Sequence, residues 1–528
     1  MSRSKPNFLV IMVDQLSALR LRAYGHKVVK TPALDRLAED GVVFESAYSP
    51  SPLCAPARAI FMSGLLPSHT GVYDNAAEFR SAIPTFAHYL RLEGYKTCLS
   101  GKMHFVGPDQ LHGLEERLTT DIYPADFGWT ADWRLKQERI DWWYHNMSSV
   151  KQAGIAEITN QIEYDDDVAF QATRRIYDQA RYDRDTPLCL VVSFSHPHDP
   201  YAAQARFWNL YRDEDIDEPT VAPIPYDELD PHSRRLYDAA AMGDYDISRE
   251  DVLSSRHGYY ANISYLDDKI AGLLATLETT GMAEDTIVVF TSDHGDFLGE
   301  RGLWYKMSFL EPAARVPLIV HNPARFGARR VATPASVADV MPTLVELARG
   351  SAAELASPVS GRSLAPLLDG ADEDPETTVY GEYLAEAVVA PMFMIRRGQW
   401  KFVCCDTDPD QLFDLHSDPN ELVNLAKESG HRERVAEFRA EAAGRWNSQA
   451  IAEQVMTSQR QRLMLFQALR RGQHFPWDYQ PLRAASEQYT RNHMDVTARD
   501  QLSRFPPAPE PKKKLDGSAK RNPPGAPG

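Results

Sequence analysis

The sequence predicts an α/β fold on a mostly parallel sheet flanked by helices, with a smaller C-terminal antiparallel α+β subdomain and an extended C-terminal arm. Three observations predict it. Short β-branched apolar runs, "NFLVIMV" (7–13), "LCLVVSF" (188–194) and "TIVVFTS" (286–292), are bounded by polar or turn residues and are too short for helices. Helical patterns such as "TPALDRLAEDG" (31–41) and "ANISYLDDKIAGLLATLETTG" (261–281) lie between them, and strands alternating with helices imply a parallel sheet. Beyond residue 375 the texture becomes that of a few antiparallel strands followed by a helix.

Each element has local support. In the 31–41 segment Thr31 is the expected N-cap, Pro32 takes the first helical position and Gly41 stops the helix. A fourth strand is expected within "GYKTCLSGKMHF" (94–105). These readings divide the chain into an α/β domain over 1–375, an α+β subdomain over 376–472, an aromatic arm over 473–504 and a disordered Pro/Gly/Lys-rich tail over 505–528.

Composition narrows the class. Five cysteines in 528 residues are too few and too irregular for a disulfide framework. The start offers only six apolar residues before Asp14, too few for a signal peptide, and no stretch approaches the ~20 apolar residues of a membrane span. A cytoplasmic protein is expected, with no membrane partner. A net charge of −17 argues against nucleic-acid binding over a broad face, though it leaves room for one anionic ligand in a local pocket.

Open α/β sheets bind ligands beyond the carboxyl ends of their strands. Here those ends read Asp14-Gln15, Asp293-His294, His196-Pro197-His198 and Lys102 with His104. Any one of them is ordinary; a lone Asp after a strand caps a turn about as often as it does anything else. Together they supply an oxygen-rich cation site from Asp14, Gln15, Asp293 and His294, and a ring of positive charge from Lys102, His104, His198 and Lys306. Metal plus cations stabilises charge growing on a transferring phosphoryl or sulfuryl group.

The stretch "SPLCAPARAIFMSG" (51–64) carries a family resemblance. Cys54, Pro56 and Arg58 resemble the Cys-x-Pro-x-Arg signature of type I sulfatases, with Ala57 where many members have Ser. Gln15 stands in place of a second Asp and His294 in place of Asn, as in the branch that holds choline sulfatases and phosphonate monoester hydrolases. The resemblance implies an alkaline-phosphatase-like fold, oxidation of Cys54 to formylglycine by a formylglycine-generating enzyme, and a divalent metal held by Asp14, Gln15, Cys54, Asp293 and His294. Calcium is the expected ion, with manganese or magnesium as alternatives. It further implies attack on sulfur by the hydrated aldehyde to give a sulfated enzyme, with Lys306 or His198 as acid, His104 as base, Lys102 beside them and Arg58 holding the nucleophile one helical turn away.

Longer stretches, among them "GPDQLHGLEERLTTDIYPADFGWTADW" (107–133), "DWWYHNM" (141–147), "HPHDPY" (196–201), "SDHGDFLGERGLWYKMSF" (292–309) and the "PWDYQP…YTRNHMD" arm, resemble choline sulfatases in particular. That resemblance implies hydrolysis of choline-O-sulfate, with Asn75 on the sulfate, and Trp129, His145 and Glu382 around the ammonium. A quaternary ammonium donates no hydrogen bonds and is held by aromatic faces, which Trp129, Trp133, Trp142, Trp143 and Tyr144 offer in abundance. For most of these tryptophans core packing is the ordinary role. A homo-oligomer, dimer or tetramer, is expected, with the arm of one subunit over the site of another. The competing readings are a phosphonate monoester or phosphodiester hydrolase of the same superfamily, and a non-catalytic protein that binds quaternary ammonium ligands.

Overall fold

Asn7–Asp14 (β1) lies in the middle of an eight-stranded sheet and is buried from Phe8 onward. The computed structural model describes residues 5–135, 139–140, 143–351, 354–473, 476–482 and 505–506. In chain order the remaining strands are Val42–Phe44 (β2), Lys96–Gly101 (β3), Glu116–Arg117 (β4), Leu188–Pro197 (β5), Thr286–Ser292 (β6), Leu318–His321 (β7) and Arg329–Val331 (β8). Their spatial order is β8-β2-β7-β6-β1-β5-β3-β4. Every pairing is parallel except those of β7 with β2 and β6. Four strands with expected functional ends, β6, β1, β5 and β3, are therefore adjacent, and parallel pairing puts all four ends on one edge. The β1–β6 register runs from Asn7↔Thr286 to Val13↔Ser292, which sets Asp14 beside Asp293.

Helices cover the faces. Pro32–Asp40 (α1) starts where the sequence expects, yet Thr31 makes no side-chain cap. Its hydroxyl donates to Asp35 instead, and the free N–H groups of Ala33 and Leu34 go to Asp267 at 3.0 and 2.8 Å. Asp267 comes from the long helix Arg249–Thr279, whose start precedes the expected one by twelve residues. Ser248 and Asp251 form a capping box there, a signal present in "SRED" but overlooked amid the charged residues. The other principal helices are Cys54–Ser63 (α2), Asn160–Tyr182, Val340–Arg349, Arg432–Arg445 and Ser448–Leu469. Among the described residues no helix is long and apolar enough to cross a membrane.

The C-terminal strands Thr378–Tyr383, Met392–Arg397, Trp400–Cys405 and Asp408–Asp414 form an antiparallel meander. Its buried face joins the core of the large sheet without a break: Tyr383, Met394 and Phe402 belong to one cluster with Leu9, Ile11 and Phe309. A buried ion triad reinforces the seam. Lys401 Nζ lies 2.7 Å from both Glu311 and Glu421 and 2.8 Å from the Phe309 carbonyl. Of the expected arm, Trp477 packs edge-on against Phe127, and Asp478 accepts from Ala125 N at 3.0 Å. The described start of the arm thus lies on its own chain. Trp142, "YTRNHMD" and the tail beyond 506 lie outside the described residues.

Removing one partner of a buried ion cluster strands the others, at a cost of about 3–5 kcal/mol. Lys401→Met is expected to lower the urea midpoint, and more so as pH rises, because two stranded carboxylates tolerate burial only when protonated. Equilibrium unfolding at pH 6 and pH 8 checks this; equal midpoints for wild type and variant would contradict it.

Candidate active site

The approach to Cys54 is extended at Leu53 (φ −157°, ψ 143°), so the helix begins on the cysteine itself. Gly64, in the left-handed region at φ 70°, closes α2 and donates to the Ile60 carbonyl. All ten residues of α2 are buried. The thiol thus sits at a helix N-terminus, where unpaired N–H groups favour negative charge. One of those donors, Ala55 N, is taken by Asn75 Oδ1 at 2.9 Å, which fixes the amide beside Cys54.

One helical turn on, Arg58 is fully buried and uses every face of its fork. Nε donates to Asp293 Oδ2 at 2.8 Å and Nη2 to Asp14 Oδ2 at 3.1 Å; Nη1 donates to the Lys102 carbonyl and to Ser193 Oγ, both at 2.8 Å. Lys102 Nζ pairs directly with Asp14 Oδ2. Burial works against the Asp14 carboxylate, but Lys102, His198 and Arg58 together hold it well below the usual range. Burial likewise opposes the charge on Lys102, and Asp14 more than restores it. Arg58 and Lys102 thus set two cations against the side chains of Asp14 and Asp293.

Asp14, Cys54, Asp293 and His294 each aim a ligand atom into one space, all within 4.8 Å of one another. His294 gives its Nδ1–H to the Gly295 carbonyl at 3.1 Å, which leaves the Nε2 lone pair directed at Cys54 Sγ, 3.3 Å away. Burial, helped by Lys306, keeps this imidazole neutral and able to ligate. Two carboxylates, one oriented imidazole and one thiol position fit a divalent cation. Gln15, expected as a further ligand, bridges this group to its neighbours. In a left-handed conformation at φ 67°, it donates its backbone N–H to Asp293 Oδ1 at 3.1 Å, and its Oε1 accepts from Lys306 Nζ at 2.6 Å.

Lys306 Nζ also donates to His198 Nε2 at 2.8 Å, while His198 Nδ1 donates to the Asp199 carbonyl at 2.7 Å. Burial and then Lys306 push His198 far below its ordinary value, so the imidazole is the acceptor and Lys306 holds the proton. His104 lies to one side at φ 54°, edge-on to Trp129, with both ring nitrogens buried and unpartnered. Neither Lys102 nor His104 lines the adjoining cavity.

That cavity opens from Cys54 and is walled by Asn75, Tyr123, Trp129, Trp143, His145 and Glu386, with Lys306 and His198 at its inner end. Trp129 and Trp143 are nearly parallel with centroids 6.4 Å apart, and His145 stacks on Tyr305 at 4.4 Å. Glu382 is not in the wall. Its carboxylate accepts from Ser68 N and Oγ at 2.7 and 2.8 Å and from Trp446 Nε1 at 2.8 Å, a buried strut that ties the C-terminal meander to the short helix at Ser68 and to the C-terminal helices. The carboxylate of the cavity is Glu386, four residues on. Its Oε2 is buried without a partner, and burial together with Asp74 raises its pKa to about 7. Glu382 lies within a strand and Glu386 just past its end; the strand-end rule that found Asp14 would have found Glu386.

The sulfatase family model matches residues 6–351. The chain belongs to the sulfatase family. Further models match this sulfatase over 453–505, described as choline sulfatase enzyme C terminal, and over 299–445, described as N-sulphoglucosamine sulphohydrolase, C-terminal. It is 51% identical to a choline-sulfatase of Rhizobium meliloti (strain 1021) over 512 residues, covering 96% of this chain and 99% of the relative. The sulfatase also shares its fold with a phosphonate monoester hydrolase of Agrobacterium radiobacter (TM-score 0.66, 23% identity, 83% and 95% of the two chains). A putative sulfatase from Bacteroides fragilis is similar to the same degree (TM-score 0.67, 23% identity, 86% and 98%). The alkaline-phosphatase-like architecture expected from the sequence is the one observed.

Lysine keeps the charge of Arg58 but cannot reach four acceptors with one ammonium. Arg58→Lys is expected to lower sulfate-ester turnover on the order of 100-fold while the far-ultraviolet circular dichroism stays that of the wild type. Retained turnover would show that charge alone suffices there.

Proposed function

We propose that this sulfatase hydrolyses choline-O-sulfate to choline and sulfate, using Cys54 matured to formylglycine. The observation that carries the substrate is Glu386: a buried carboxylate with an unpartnered oxygen, in a cavity walled by Trp129, Tyr123 and Trp143 and ending at Cys54. A quaternary ammonium donates no hydrogen bond, but its charge offsets that of a buried carboxylate while its methyl groups pack on the aromatic wall. The 51% identity to a choline-sulfatase along nearly the whole chain supports the same reading.

The residues divide the work. Asp14, Asp293 and His294 would hold a divalent ion, calcium by preference for oxygen donors, with Gln15 Oε1 contributing the lone pair that Lys306 leaves free. Bound there, the ion would offset negative charge growing on the sulfuryl oxygens. The hydrated Cys54 aldehyde would supply the hydroxyl that attacks sulfur and a second one that later expels sulfate, which a thiol cannot do. Arg58 and Lys102 hold Asp14 ionised and in place. Asn75, its oxygen committed to Ala55 N, turns its NH2 toward the sulfate. Lys306 carries the proton for the departing choline oxygen, with His198 and Gln15 fixing its Nζ. His104, with two free ring nitrogens, is the base for the second hydroxyl.

The maturation enzyme must act before the chain folds, because Cys54, Pro56 and Arg58 are all buried in α2. A cytoplasmic setting is supported by five buried cysteines, all with free thiols. An oligomer is supported by the exposed apolar residues Met464, Leu465, Leu469 and Leu482 near the C-terminus.

Sulfate release from choline-O-sulfate, an aryl sulfate and a phosphodiester is the test. The choline ester is expected to be preferred, Cys54→Ala to be inactive on all three, and chelation to abolish turnover until a divalent ion is restored. Preference for the phosphodiester would sink the proposal. Acidity adds a second check. With a pKa of about 7, Glu386 loses its charge as pH falls, so the KM for choline sulfate is expected to rise below pH 7. Glu386→Gln is expected to have a high KM at every pH; a variant that kept the wild-type dependence would place the titrating group elsewhere.

A further inference from the structure

The C-terminal helix Ser448–Leu469 buries four residues, Ile451, Val455, Gln459 and Arg462, in a single stripe. Apolar side chains throughout would anchor such a helix, yet the last two are polar and reach toward the cavity. Gln459 Oε1 accepts from Trp133 N at 3.0 Å. Arg462, 5% exposed, grips both oxygens of Asp74 at 2.7 and 2.8 Å, and its Nη1 also donates to Thr130 Oγ1 at 3.1 Å. Ser458 Oγ accepts from its Nε at 3.1 Å and orients the fork.

The positions of these partners matter more than their number. Asp74 is fully buried and immediately precedes Asn75, the amide fixed beside Cys54. Thr130 immediately follows Trp129, an aromatic wall of the same cavity. One guanidinium therefore ties together two chain segments that each contribute a wall residue to the cavity. As stability alone, a buried ion pair is a poor choice, since apolar residues of equal volume do as well or better. What a planar bidentate fork supplies is a fixed spacing.

We propose that Arg462 is a positioning residue that sets the span between Asn75 and Trp129, and thereby the length of ester the pocket accepts. This rests on the choline-sulfate reading, in which Asn75 meets the sulfate and Trp129 the ammonium. Arg462 lies behind both and acts through them. It also balances Asp74, whose unpaired charge would drive Glu386 further toward its neutral form.

The test compares choline sulfate with its homologue one methylene longer. A pocket of fixed span discriminates one methylene by about 10-fold or more. The wild type is expected to show that preference in kcat/KM. Arg462→Lys, which keeps the charge but cannot bridge Asp74 to Thr130, is expected to bring the ratio close to one through KM, with kcat within about threefold. Thr130→Val, a milder change, is expected to move the ratio the same way. In Asp74→Asn/Arg462→Met the charges are removed together, so the thermal midpoint is expected to recover relative to Arg462→Met while the ratio does not. A ratio unchanged in Thr130→Val and Arg462→Lys, or one restored together with the midpoint in the double variant, would overturn the inference. Failure of the wild type to hydrolyse choline sulfate would instead overturn the substrate reading itself.

Discussion

Arg58, fully buried, donates to groups at the carboxyl ends of four neighbouring strands: Asp14 of β1, Asp293 beyond β6, the Lys102 carbonyl beyond β3 and Ser193 in β5. The parallel register β6-β1-β5-β3 is what allows it, and the Cys54–Ser63 helix delivers the guanidinium one turn below the cysteine. Lys102, His198 and Arg58 together keep Asp14 ionised against its burial. Pairing with Arg58 also sets Asp14 and Asp293 side by side in the cation site, while the Gly295 carbonyl orients His294 and the extended backbone at Leu53 starts the helix on Cys54.

Chemistry and selectivity come from different parts of the chain. The reacting end is built from the edge of the large sheet and is held by buried hydrogen bonds and ion pairs, with the ring nitrogens of His104 left unpartnered. The far end is built from loops, with Trp129 and Trp143 on one segment and Glu386 on the turn that follows the first strand of the C-terminal meander. Those loops are held from behind by Glu382, which joins Ser68 to Trp446, and by Arg462, which joins Asp74 to Thr130. Because both sheets share one core, the C-terminal elements form part of the pocket's frame. Fold likeness to a phosphonate monoester hydrolase is understandable in these terms, since the sheet edge can be kept while the loops change.

The reacting end was largely readable from the sequence. Strand runs announce where the carboxyl edge lies, and Asp14, Asp293-His294, His198 and Lys102 simply follow the runs. Neither Lys306 nor Asn75 sits at a strand end; Lys306 joins the ring of positive charge by residue type, and Asn75 follows only from family resemblance. The far end was much less readable. Two glutamates stand four residues apart in "YGEYLAEA", and only the point at which the strand stops, after Tyr383, separates the strut from the cavity wall. Thr31 resembles a cap because local sequence cannot show that Asp267, 234 residues from Ala33, takes the Ala33 N–H. The pair Arg462–Asp74 spans 388 residues and leaves no local trace at all. Periodicity and capping are local signals, whereas the walls of this pocket are made by contacts between distant segments.

The central claim is that this sulfatase recognises a positive charge at the far end of its cavity. Replacing the quaternary nitrogen of choline sulfate by carbon gives 3,3-dimethylbutyl sulfate, an ester of the same shape that lacks the positive charge. Comparison of kcat/KM for the two esters at pH 8 isolates the charge from the fit. A desolvated cation–π contact is worth about 2 kcal/mol, which predicts a preference for choline sulfate of about 30-fold or more. Equal kcat/KM for the two esters would mean that Trp129 and Glu386 do not read the ammonium, and would contradict the account.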